Sequence, residues 1–365
     1  MFTRDALSSV VLLGRNRINP DNSIDFFWTG SGITFTTDAC ELTVDLDAHF
    51  DGQEIWLTVE INGALISRQM LTSGRNRVCC FRRMDPGKFR TVRILKETQM
   101  DFDASEHFLR FLDIIGTDGA PVTFGPKPEF KGTIEFIGDS ITSGEGLNGA
   151  VGEMDYVSAY YGFRNNYTRL IADTLNLQYS VISQSGWGFS RGWNNNPASV
   201  IPRVYESIDG KSSYDFNGGS GADFVTLNLG TNDLVAFHNP AFTDELGNTY
   251  KFRLNDDGTF NSEDEQTLIN AATDFIKLIA SKNPRAQIII ICGMFSNELD
   301  SQISEIYRRV ESLGRIHLVK VPPVIETDVG SRMHPGVICN KRCAENVSAK
   351  IAELMERSAG CSAET

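Results

Sequence analysis

The sequence predicts an α/β protein in two parts. A small all-β domain covers residues 1–125 and a parallel-sheet α/β/α domain covers 131–365. Three observations carry this. Short segments before residue 125 alternate apolar and polar residues. After residue 130, apolar strands alternate with helical patterns. Between them lies Gly125-Pro126-Lys127-Pro128, where two prolines disfavour helix and stiffen the chain. A chain of 365 residues also exceeds one typical core.

In the first part, Ile33–Thr36, Glu41–Asp47 and Arg90–Lys96 have the period-two pattern of half-buried strands. Glu54–Ile61, then Asn62-Gly63, then Ala64–Ser67 reads as a hairpin with a type I′ turn. Several short strands between Gly, Asp and Asn turns suggest a β-sandwich of jelly-roll type. Trp28 and Trp56 are expected in its core. In the second part, strands are expected at Thr133–Ile137, Tyr179–Ile182, Phe224–Leu229, Gln287–Ile291 and Ile316–Val321. Helices are expected near Tyr167–Asn176, Asp264–Ser281, Glu298–Ser312 and Val337–Arg357. The last presents Ile338, Cys343, Val347, Ile351 and Leu354 on one face. Such alternation gives a parallel sheet covered on both sides. Residues 194–221, rich in Asn, Ser and Gly, read as a long surface loop.

Composition narrows the partners. A formal net charge of −13 argues against nucleic-acid binding and against docking on an anionic membrane, which need clustered Lys and Arg. Seven cysteines, an odd number with Cys79 and Cys80 adjacent, do not form a disulfide framework and suggest thiols in a reducing compartment. The run Val10–Leu13 is too short for a secretory leader, and no run of about 18 apolar residues spans a membrane. A cytoplasmic protein is expected. A homo-oligomer is compatible with the sequence, which does not fix the state. No metal site or cofactor is expected, since no close cysteine pair has zinc spacing. Gly144-Glu145-Gly146 is not followed by the Lys-Ser/Thr of a phosphate loop.

The chemistry is expected from three ordered blocks. Thr133–Gly138 runs into Asp139-Ser140, so Ser140 sits where open α/β sheets place their ligand crevice. Gly230-Thr231-Asn232-Asp233 follows a strand, and His334-Pro335-Gly336 precedes the last helix. A serine hydroxyl needs a base to take its proton. Of five histidines, only His334 lies in a loop between the fifth strand and the final helix. Asp139 and Asp233 are expected to bond loop amides.

Together these blocks resemble the SGNH (GDSL-type) hydrolase superfamily, whose serine, glycine, asparagine and histidine carry acyl-ester hydrolysis. The resemblance implies an SGNH-hydrolase (flavodoxin-like) fold for residues 131–365. Ser140 would be nucleophile and His334 base, with an oxyanion hole from the Ser140 amide, the Gly188 amide and the Asn232 side chain. Gly186 is the alternative to Gly188. Members usually carry an aspartate three residues before the histidine, where this chain has Ser331. A Ser140–His334 dyad is therefore favoured, with a backbone carbonyl or the Ser331 hydroxyl on the other ring nitrogen. Asp328, six residues upstream, is the candidate third member if its loop folds back.

A β domain fused ahead of such a domain is similar to carbohydrate esterase family two, some of whose members also lack that acid. This implies an enzyme of acetyl xylan esterase type, acting on acetylated xylan or glucomannan oligosaccharides. Trp187 and Trp193 would offer flat faces to a sugar ring. Two rivals stand beside this reading. One is a general short-chain acylesterase or lysophospholipase-like hydrolase. The other is a non-catalytic carbohydrate-binding protein.

Overall fold

The computed structural model describes residues 4–363, which divide into two units. The first joins residues 1–130 to Tyr156–Phe163 and the second joins Lys131–Asp155 to residues 164–365. The expected boundary near residue 130 therefore has an exception. The chain leaves the hydrolase-like unit at Tyr156 and returns at Arg164, because polar groups of the first unit hold the excursion. Trp56 Nε1 donates to Ser158 Oγ at 3.0 Å, and Arg68 donates to the carbonyls of Ala159 and Tyr161 at 2.9 and 3.0 Å.

The first unit opens with α1 (Arg4–Ser9), followed by ten strands. These are β1 (Val11–Leu13), β2 (Asn16–Ile18), β3 (Ile24–Phe26), β4 (Gly32–Thr37) and β5 (Leu42–Phe50), then β6 (Trp56–Ile61), β7 (Ala64–Met70), β8 (Gly74–Phe81), β9 (Arg90–Lys96) and β10 (His107–Ile115). They form two antiparallel sheets, ordered β1-β4-β9-β6-β7 and β2-β3-β10-β5-β8. One face of each is apolar, and the core between them includes Phe26, Phe35, Leu46, Val59, Ile94 and Phe111. Trp28 is fully buried, whereas Trp56 is half-buried under the Arg68 guanidinium. The Asn62-Gly63 hairpin forms between β6 and β7, with φ of 49° and 79° at the two residues, the left-handed backbone a type I′ turn needs.

The second unit is a parallel sheet covered by helices. In chain order its elements are β11 (Thr133–Gly138), α2 (Ser140–Ser143), α3 (Tyr167–Leu175), β12 (Gln178–Ser183), β13 (Phe224–Asn228) and α4 (Thr231–His238). A small antiparallel hairpin follows, β14 (Phe242–Thr243) with β15 (Thr249–Tyr250). Then come α5 (Ser262–Lys282), β16 (Gln287–Cys292), α6 (Asp300–Val310), β17 (Ile316–Lys320) and α7 (Val337–Ala363). The sheet order is β12-β11-β13-β16-β17, parallel throughout, the SGNH-hydrolase arrangement of a doubly wound sheet. Strand order reverses beside β11 and β13, so the ligand crevice belongs at the carboxyl ends of those two strands.

Two expectations need correction. Ile338 is 64% exposed, and the buried stripe of α7 starts at Cys339, running through Cys343, Val347, Ile351 and Leu354. Steps of four or three residues keep that stripe on one face, and a step of five from Ile338 to Cys343 does not. Residues 194–221 are a surface loop only in part. Ile201, Tyr205 and Phe216 are buried in the core beside α5, whereas residues 211–213 and 217–219 are exposed.

The hairpin gives a stability prediction. A Cβ at Gly63 would meet no atom within 4 Å, so Gly63→Ala adds only the left-handed backbone penalty, about 1 kcal/mol. Chemical denaturation should show that loss. An unchanged midpoint would contradict the turn.

Candidate active site

Loops leaving four of the five parallel strands supply the candidate residues. β11 ends at Gly138, and the next two residues start α2: Asp139 Oδ1 accepts the Ile141 N–H at 3.0 Å, an N-cap. Ser140 is then the first helical residue, and its N–H has no acceptor within that helix. It is 8% exposed. His334 arrives from the loop after β17, and its Nε2 lies 2.7 Å from Ser140 Oγ. The other ring nitrogen, Nδ1, lies 2.9 Å from the Arg332 carbonyl oxygen. A carbonyl only accepts, so Nδ1 must carry the proton and Nε2 presents its lone pair to the serine hydroxyl.

Asp328 does not complete a triad. Its Oδ1 accepts the Ile338 N–H at 3.1 Å and its Oδ2 accepts the Cys339 N–H, so both oxygens are engaged at the start of α7. The Ser331 hydroxyl does not hold the ring either; it is buried without a hydrogen-bond partner. Of the two alternatives to an acid, the carbonyl is the one present.

The expected oxyanion donors divide. Asn232, in the first turn of α4, donates from Nδ2 to the Trp187 carbonyl at 2.9 Å, which orients the amide and leaves its second N–H. Gly188 is not a free donor, because its N–H donates to the Ser199 carbonyl at 3.2 Å. Gly186 is the better candidate. Its amide takes no backbone acceptor among the described residues, its φ is +79°, and a Cβ there would lie 2.8 Å from the Trp193 ring. The tryptophans divide too. Trp187 is half-buried against the core, whereas Trp193 is 52% exposed and lies beside Gly186.

Two buried carboxylates shape the loops. Asp233 accepts from the amides of Phe189, Ser190 and Arg191 at 2.7, 2.9 and 3.0 Å, and from the Ser190 hydroxyl at 3.1 Å. Burial nevertheless pushes its pKa up to about 6. Burial raises Asp139 to about 7, with Glu145 and Asp233 adding to the effect, and its Oδ2 has no hydrogen-bond partner. Among the described residues no group of three or more His, Cys, Asp or Glu is arranged to hold a metal ion.

Sequence reasoning missed Glu145 and Arg332. Glu145 is 3% exposed and Arg332 Nε donates to its Oε1 at 2.6 Å. A charged residue between two glycines, in a loop following a candidate nucleophile, was the available signal.

The raised Asp139 value makes a signed prediction. A carboxyl that holds its proton more tightly when folded contributes stability below its ordinary value of 3.8, lost as pH rises through about 7. Thermal melts from pH 4 to 8 should show wild type losing stability relative to Asp139→Asn. A constant difference would contradict this.

With this geometry in view, the resemblance to known proteins is specific. Residues 136–327 match the GDSL-like lipase/acylhydrolase family model. An acetylxylan esterase / glucomannan deacetylase of Cellvibrio japonicus is 23% identical over 293 residues, 79% of this chain and 72% of that protein. The structure of an acetyl xylan esterase from the rumen bacterium Butyrivibrio proteoclasticus is 34% identical with a TM-score of 0.90, over 95% of this chain and 96% of that one. A family two carbohydrate esterase from Clostridium thermocellum, in complex with cellohexaose, shares the fold at 22% identity and a TM-score of 0.79, over 95% and 99% of the two chains. The chain therefore belongs to the GDSL-like lipase/acylhydrolase family.

Proposed function

We propose that this protein is a serine esterase that removes acetyl groups from xylan- or glucomannan-type oligosaccharides. The observation that carries the reading is the 2.7 Å contact of Ser140 Oγ with His334 Nε2, whose opposite nitrogen is held by a carbonyl. The acetyl-sugar substrate is supported by similarity to the acetyl xylan esterase of Butyrivibrio proteoclasticus and the deacetylase of Cellvibrio japonicus.

In this mechanism His334 Nε2 takes the hydroxyl proton as Ser140 Oγ attacks the acetyl carbonyl carbon. The carbonyl oxygen becomes an oxyanion facing the Ser140 amide, the Gly186 amide and the free N–H of Asn232. Each preorganised donor of this kind is typically worth about 100- to 1,000-fold in rate. The tetrahedral intermediate collapses, and the imidazolium gives its proton to the departing sugar oxygen. Water then attacks the acetyl-enzyme, with His334 again taking a proton, and acetate leaves. The exposed indole of Trp193 offers a flat apolar face for a pyranose.

Similarity to acetyl esterases supports a short acyl group over a long one. The six described cysteines are free thiols, which supports a reducing compartment. No helix among the described residues is long and apolar enough to cross a membrane. We place the protein in the cytoplasm, where its substrates would be imported oligosaccharides.

Acetate release from acetylated xylo-oligosaccharides, beside nitrophenyl esters of increasing acyl length, tests the reading. Activity should fall beyond the acetyl ester and vanish in Ser140→Ala. Activity that rises with chain length and releases no sugar acetate would make the protein a general acylesterase. Activity on none of these substrates would favour a binding protein.

Point variants test the roles. Asn232→Ala should lower kcat about 100- to 1,000-fold. Asp328→Asn should stay within about tenfold of wild type, because losing a true triad acid removes about 10,000-fold. A loss of that larger size would restore Asp328 to the triad.

A further inference from the structure

We propose that Glu145 is a positioning residue that, acting through Arg332, does the orienting work of the missing triad acid. The inference rests on the esterase reading above.

The base is oriented by a backbone atom, and a backbone atom is only as fixed as its turn. Arg332 and Met333, the two residues before His334, both have left-handed backbones, with φ of 55° and 59°. Such residues persist when their surroundings hold them. Here the ties run to the loop that leaves the nucleophile helix. Ser331 N–H donates to the Gly146 carbonyl at 3.1 Å, and Arg332 N–H donates to the Glu153 carbonyl at 2.7 Å. The Arg332 side chain donates from Nε to Glu145 Oε1 at 2.6 Å and from a terminal nitrogen to the Met154 carbonyl at 3.2 Å.

Glu145 links three loops. It lies five residues after Ser140, and its Oε2 accepts the hydroxyl of Ser185 at 2.5 Å, on the loop that carries Gly186. The same oxygen is 3.8 Å from His334 Nε2. A carboxylate there favours the imidazolium formed when His334 takes the serine proton. A triad aspartate both orients the ring and stabilises its charge from the Nδ1 side. In this chain the Arg332 carbonyl orients at Nδ1, and Glu145 fixes that carbonyl and sets a carboxylate near Nε2.

The test uses Glu145→Gln, Arg332→Met and the double variant in the full chain. Two readouts apply: kcat and KM on 4-nitrophenyl acetate, and the rate at which a fluorophosphonate labels Ser140. Each single variant should lose about 10- to 100-fold in kcat and labelling rate, with KM within about threefold, the size expected for a displaced catalytic group. The double variant should be no worse than the worse single, because the pair acts as one unit. Arg332→Lys should recover part of the loss. Arg332 is about one-third exposed, so Arg332→Met tests the idea even where Glu145→Gln does not fold.

Singles within threefold of wild type that merely melt earlier would overturn the inference, as would losses that multiply in the double variant. Wild type that labels at Ser140 but releases no sugar acetate would overturn the substrate reading and leave this inference standing. Wild type that does not label would overturn both.

Discussion

One uncharged hydrogen bond organises the site: the Arg332 carbonyl oxygen holding His334 Nδ1 at 2.9 Å. It sets the tautomer, which fixes where the basic lone pair points, and therefore which hydroxyl can lose a proton. Replacing a carboxylate by a carbonyl keeps the geometry but gives up a full charge next to the ring. The turn that presents the carbonyl becomes correspondingly important. Two consecutive left-handed residues and an ion pair between buried Glu145 and part-exposed Arg332 are what this chain shows around it.

The parallel sheet makes such a constellation reachable. Ser140 follows β11 and Asn232 follows β13, the neighbouring strands at which strand order reverses. Ser185 and Gly186 follow β12 on the other side of β11, and His334 follows the edge strand β17. The site is also unusually rich in buried carboxyls. Asp139 is pushed up to about 7 and Asp233 to about 6, both chiefly by burial. Asp233 joins the Asn232 helix to the amides of residues 189–191, so a rigid loop is obtained at an electrostatic penalty.

Much of this was legible before the structure. The five parallel strands read clearly, because buried strands carry continuous apolar runs, as residues 288–292 illustrate. Ser140, His334 and Asn232 stood out as candidates because each follows a strand and lies at or near the start of a helix, with its own local pattern, and the structure brings Ser140 and His334 into contact. What failed depended on hydrogen bonds between distant segments. Chain spacing could not say that the Gly188 amide belongs to Ser199 and leaves Gly186 free. Nor could it say that Asp328 caps α7, since the capped amides lie ten and eleven residues later. The Tyr156–Phe163 excursion was hidden because its binding partners, such as Trp56 and Arg68, lie about a hundred residues earlier. Glu145 and Arg332 are separated by 187 residues, and no local pattern joins them.

The central claim is that Ser140 carries the acyl group and that His334 is its base with no acidic side chain bonded to the far ring nitrogen. Acid-quenching the enzyme during turnover of an acetyl ester, then mapping the modified peptide by mass spectrometry, tests it directly. The account predicts one acetyl group on Ser140, absent in His334→Ala and still formed in Asp328→Asn. An acetyl group on another residue, or turnover that persists in Ser140→Ala, would contradict it.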